Sequence, residues 1–153
     1  MHVRSRWRRP TCQTLALAMI LLGLTVAATP QAHGTVKPVT PTRVVDTRLN
    51  QGAPGPVPLN TGRTVDLGST AGLSAVPQGA LLNLTVTEPQ ASGWLSAYPA
   101  GVARPVVSNL HFTAGMMVPN LSLATLNSGS AVLYNGSPGS VQIVADVLAY
   151  VLS

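Results

Sequence analysis

Ala80-Leu-Leu-Asn-Leu-Thr-Val-Thr87 is the stretch on which the fold turns. In an extended chain Leu82, Leu84 and Val86 fall on one side, and Asn83, Thr85 and Thr87 on the other. Successive side chains of a strand point to opposite faces, so a period of two with one polar face marks a half-buried antiparallel strand. The alternation recurs in Ser108–Phe112, where Ser108, Leu110 and Phe112 oppose Asn109 and His111. It recurs in Asn120–Leu123, where Leu121 and Leu123 oppose Asn120 and Ser122 and are the side expected to be buried. Val141–Leu152 is apolar on both faces except at Gln142 and Asp146, which predicts a central strand.

Outward from these segments, short apolar runs alternate with Gly, Pro, Asn and Ser clusters. Strands are predicted at about 43–48, 64–67, 80–87, 94–98, 106–112, 117–125, 131–135 and 141–151, with turn-forming residues between them. No helical period survives after residue 30. Many short strands at regular spacing predict an all-β fold, an antiparallel sandwich of Ig-like or jelly-roll-like type. The domain is expected to span residues 41–153, with residues 29–40 as a flexible Pro/Thr-rich leader.

The N-terminus has the order of a secretory signal: Arg4, Arg6, Arg8 and Arg9, then an apolar run Leu15–Ala28, then small residues and a proline. A helix over that run is about 21 Å long, short of the ~30 Å hydrocarbon core, so a signal helix over residues 1–28 is expected, not a stable membrane anchor. Cleavage is placed after Ala28, with Ala32 as the alternative. Pro10-Thr11-Cys12 is a poor continuation of Arg8-Arg9 for twin-arginine export, so the Sec route is preferred. The expected destination is extracellular, with association to the cell wall.

Export changes the reading of charge. The formal net charge of the chain is +5, but the four N-terminal arginines account for most of it. The remainder holds Lys37, Arg43, Arg48, Arg63 and Arg104 against Asp46, Asp66, Glu88 and Asp146, and is nearly neutral. No basic patch remains to displace counterions from a phosphate backbone, so nucleic acid is not an expected partner. Charged residues are only 8% of the chain, against about 25% in ordinary globular proteins, so hydroxyl and amide side chains must supply most of the wet surface. The single cysteine, Cys12, lies in the signal; the domain has no disulfide and no thiol chemistry.

Several phrases occur together: Pro-Thr-Arg-Val-Val-Asp-Thr-Arg at 41–48, Asn-Leu-Thr-Val-Thr-Glu-Pro at 83–89, Gly-Trp-Leu-Ser-Ala-Tyr-Pro at 93–99, Ser-Asn-Leu-His-Phe at 108–112, Leu-Tyr-Asn-Gly-Ser at 133–137 and Ala-Asp-Val at 145–147. Over nearly the whole mature chain this resembles an accessory β-domain of secreted and cell-surface proteins of actinobacteria, found alone, in tandem or beside wall hydrolases and peptidases. The resemblance implies an extracellular accessory module. This chain departs from the pattern at Asn50, His111 and Ala149.

The residues argue against catalysis. A nucleophilic serine needs an adjacent base, and after the signal only His33 and His111 are available. Glycoside hydrolysis needs two carboxylates flanking a sugar, and the four acids are scattered. No His pair or Asp-x-Asp-x-Asp run suggests a metal, and no cofactor motif is present, although a calcium site built from loop carbonyls stays open. Arg43, Asp46, Arg48 and Asp146 are read as a structural polar cluster, with Arg48 ahead of Arg43 as the partner of Asp146. The binding signal is Gly93-Trp-Leu-Ser-Ala-Tyr98. On a strand Trp94, Ser96 and Tyr98 share a face, the two rings about 13 Å apart, a span suited to stacking on alternate sugars of a neutral glycan. Ser96 and Asn109 are expected to bond the sugar hydroxyls. The competing reading, ranked ahead of the platform, is that Trp94 plugs the core. The expected function is a non-catalytic extracellular or wall-associated module binding a polysaccharide; a purely structural or protein–protein module comes second, and a hydrolase is a distant third.

Overall fold

A computed structural model describes residues 34–153 apart from 69–72 and 74. The signal segment lies outside the described residues, as does the part of the leader before Gly34. The strands are β1 (Thr35–Asp46), β2 (Thr61–Asp66), β3 (Gly79–Thr87), β4 (Gly93–Pro99), β5 (Leu110–Phe112), β6 (Val118–Thr125), β7 (Ser130–Asn135) and β8 (Gln142–Leu152), with one 3₁₀ turn at Thr47–Leu49. They form two four-stranded sheets, ordered β1-β8-β3-β6 and β2-β7-β4-β5, with every pairing antiparallel. The fold is all-β, as the alternation requires.

Leu82, Leu84 and Val86 of β3 are buried, together with Ile143, Ala145 and Val147 of β8. They share one core with Val65 of β2, Leu95 of β4 and Leu133 of β7. β8 lies between β1 and β3 and is the central strand that its two-sided apolarity predicts. Tyr150 on β8 is buried, and its hydroxyl donates to the Leu67 carbonyl at 2.5 Å, linking β8 to the chain that leaves β2.

Three expectations are corrected. Residues 35–40 are not a free leader: Thr35 to Pro38 pair with Leu152 to Ala149, which extends β1 along the open edge of β8. Pro38 and Pro41 are tolerated because β1 is an edge strand and has one side without sheet partners. Residues 106–109 are not strand; β5 begins only at Leu110. Finally, Leu121 and Leu123 point outward and are 59% and 63% exposed. The register decides this: β6 places Ser122 opposite Leu82 and Ala124 opposite Ala80, so the small residues share the core face.

Candidate functional site

The expected platform lies on the outer face of the second sheet. Leu95 and Ala97 of β4 are buried in the core, so Trp94, Ser96 and Tyr98 face away from it. Cross-strand partners complete that face: His111 opposite Trp94, Tyr134 opposite Ser96, and Val132 opposite Tyr98. Trp94 is half-buried, as the discriminating residue between core plug and platform. Its indole occupies the space above Gly136, where an added Cβ would lie 2.1 Å from Cε2 and 2.4 Å from Nε1. Glycine at 136 is therefore what seats the ring.

The open three-residue platform is corrected. The connection between β4 and β5, residues 100–109, returns over this face. Ser96 is fully buried, and its hydroxyl donates to the Val107 carbonyl. Asn109 is also committed internally: its Oδ1 accepts from the Ala97 N–H at 2.7 Å, and its carbonyl accepts from Asn120 Nδ2 at 2.5 Å. Tyr98 is 9% exposed. Ser96 and Asn109 thus fasten the covering segment and are not free for sugar hydroxyls.

What remains open is a groove of about 190 Å³ lined by Trp94, Arg104, Val106, Val107, Ser108 and His111. The Arg104 guanidinium sits over the Tyr134 ring, 4.4 Å from its centroid, in cation–π range. Ser108 Oγ and His111 Nε2 lie 2.8 Å apart on the groove wall. No further side chain is hydrogen-bonded to His111 among the described residues. Among the described residues no three His, Cys, Asp or Glu side chains are grouped to hold a metal ion.

Sequence reasoning missed Arg104 and Tyr134 as site residues. The alternation of Val132, Tyr134 and Gly136 against Ala131, Leu133 and Asn135 carried the signal: an aromatic two residues before a glycine, on one outer face.

The polar cluster does come together, at the end of β1, but with different partners. Arg43 grips Asp146 bidentately, Nε to Oδ1 at 2.8 Å and Nη2 to Oδ2 at 3.2 Å. Arg48 grips Asp46 in the same way, at 2.9 and 2.7 Å. Arg43 Nη1 also reaches Asp46 at 3.4 Å and joins the two pairs. The expectation that Arg48 holds Asp146 is therefore wrong. Arg43 stands directly opposite Asp146 in the β1–β8 register, whereas the chain turns away at Thr47–Leu49 and carries Arg48 back toward Asp46. Between them, the Thr47 hydroxyl donates to Gln142 Oε1 at 2.5 Å and accepts from the Ile143 N–H at 2.9 Å, tying the turn to β8. Asn50 closes the turn at φ +57°, a left-handed conformation that asparagine tolerates.

The Asp146 pair is partly wet, with side-chain exposures of 44% for Arg43 and 22% for Asp146. The full penalty of a buried pair does not apply, because the freed guanidinium can rehydrate. Asp146→Ala is expected to cost about 1–2 kcal/mol, between the surface and buried limits. Urea unfolding monitored by circular dichroism checks this; a change under about 0.3 kcal/mol would show that the β1–β8 pairing needs no ion pair.

Comparison of the chain with protein-family models, curated proteins and solved structures finds no match.

Proposed function

We propose that this chain is an exported, non-catalytic β-sandwich module that binds an extracellular or wall-associated polysaccharide through the groove beside Trp94. The observation that carries the reading is the partly exposed indole beside a hydroxyl–imidazole pair in an open groove. An indole offers a flat apolar surface to the CH face of a sugar ring, and Ser108 and His111 offer donors and acceptors to its hydroxyls. The sandwich is read as a jelly roll. Consecutive strands pass back and forth between the two sheets, with only the β4–β5 link staying within one sheet. Fold alone does not assign function, so the groove and not the architecture bears the claim.

Processing of the N-terminal segment by the Sec route would deliver the module outside the cell. No helix among the described residues is long and apolar enough to cross a membrane. Stacking on one ring implies weak binding that becomes useful through multivalency on an insoluble polymer.

The test is retention of the protein on insoluble peptidoglycan, chitin and cellulose. Trp94→Ala is expected to reduce retention at least tenfold while the far-ultraviolet circular dichroism stays unchanged. Undiminished retention by a folded Trp94→Ala variant would remove the groove from the account. A second reading, a protein–protein or purely structural module, is favoured by the outer face of the first sheet, where exposed Leu123 stands opposite Leu81 and exposed Leu121 stands opposite Asn83. Concentration-dependent self-association that Leu121→Lys abolishes, with no polymer retention, would favour that reading.

A further inference from the structure

We infer that the Trp94 groove selects a carboxylate-bearing polysaccharide, a polymer of acidic sugars, over its neutral counterpart. The inference rests on the glycan-binding reading and adds the ligand's charge. It comes from the distribution of ion pairs. Arg43 and Arg48 are neutralised by Asp146 and Asp46. Arg104 makes no ion pair among the described residues, and it is the cation that stands in the groove.

Its attachment leaves it free to bind. Arg104 is exposed and rests over the Tyr134 ring. No described protein acceptor takes a hydrogen bond from its guanidinium. A cation held against a ring face keeps its in-plane N–H donors for another partner, and the guanidinium fork matches the two oxygens of a carboxylate. Stacking also restricts the long side chain before ligand arrives, which reduces the ordering cost of binding.

The rest of the groove suits a sugar ring that bears the acid. Trp94 supplies the apolar surface, and Ser108 and His111 stand on the same wall for ring hydroxyls. The neutral polymer expected from the charge-poor composition is the ligand of a platform whose polar members were Ser96 and Asn109. Those two residues are engaged in fastening the covering segment to β4, and the groove's open polar groups include a full positive charge.

Affinity electrophoresis of the protein in gels containing alginate, a uronic-acid polymer, or neutral dextran tests the inference. Cellulose retention is measured in parallel to follow the underlying reading. The expected result is at least tenfold stronger retardation by alginate than by dextran, weakened by raising salt from 0.1 to 0.5 M. Arg104→Gln should lower the alginate response to the dextran level, and Arg104→Lys should restore it only in part, since an ammonium lacks the fork. Lys37→Gln, which removes an exposed cation on β1, should change nothing. Equal loss with Lys37→Gln would mean diffuse charge attraction and overturn the inference. So would equal binding of both polymers, unchanged by Arg104→Gln; if that binding still required Trp94, the glycan reading would stand while the acidic preference fell. Absence of binding to alginate, dextran and cellulose would overturn both. Binding of an acidic peptide in place of any polymer would assign the groove to protein recognition and reject the acidic-sugar assignment.

Discussion

Asn135→Ala is expected to lower the unfolding free energy by about 3–5 kcal/mol, a large part of the ~5–15 kcal/mol available to a small domain. The side chain is fully buried at the end of β7. Its Nδ2 donates to the carbonyls of Val57, Pro58 and Gly139 at 3.2, 3.1 and 2.7 Å. Its Oδ1 accepts from the Ser137 N–H at 3.0 Å and from the Ser137 hydroxyl at 2.8 Å. One amide thus satisfies backbone groups from two separate loops; truncation leaves the buried Ser137 N–H without its acceptor and removes one of the two partners of the Val57 and Gly139 carbonyls, which keep the Val141 N–H and the Ser137 hydroxyl. Asn135→Asp keeps the shape but removes both donors and turns a carboxylate toward three carbonyls, so it should be at least as damaging. Urea-induced unfolding checks both variants. A midpoint within experimental error of the parent for Asn135→Ala would mean that water replaces the amide at no cost.

Asp46→Asn should cost about 2–4 kcal/mol at pH 7. The Asp46 side chain is inaccessible to solvent and accepts from both the side chain and the backbone N–H of Arg48. The figure stays at or below the range for a fully buried pair because the two arginines reach water and can rehydrate. The same residue sets an acid limb. The Arg48 guanidinium hydrogen-bonded to Asp46 holds its carboxyl below the ordinary value of 3.8, against the opposing effect of burial. A carboxyl whose folded value is depressed contributes stability that is full above the unfolded value and is lost as pH falls through the folded one. The parent should therefore lose stability on acidification below about pH 4, and Asp46→Asn should lose less over that interval because the titrating group is gone. Thermal unfolding of both proteins from pH 6 to pH 2.5 reads the difference. Parallel curves would show that Asp46 is not the group responsible.

Much of the core was legible from local pattern. The alternation in Ala80–Thr87 placed Leu82, Leu84 and Val86 inside, and the two-sided apolarity of Val141–Leu152 marked the central strand. These are properties of one strand and need no knowledge of its neighbours. The same pattern failed at Leu121 and Leu123, because alternation says which residues share a face and not which face is inside. On β6 that choice belongs to the register with β3, which aligns Ser122 with Leu82. The leader failed for a related reason. Thr35–Pro38 carry little apolar signal of their own, and they become strand because β8 offers an unpaired edge to them.

The candidate site divides in the same way. From sequence alone came the all-β class, the shared face of Trp94, Ser96 and Tyr98, and the membership of the Arg43, Asp46, Arg48 and Asp146 cluster. Strand geometry and the need of a buried carboxylate for a cation determine these locally. Tertiary structure alone decided that Arg43 and not Arg48 meets Asp146, that residues 100–109 cover Ser96, and that Arg104 rests on Tyr134 beside Trp94. Each of these joins groups whose approach is set by strand register or by the path of a connecting segment. The free energy that selects such an approach is summed over the whole packed domain, so no short window of residues contains it.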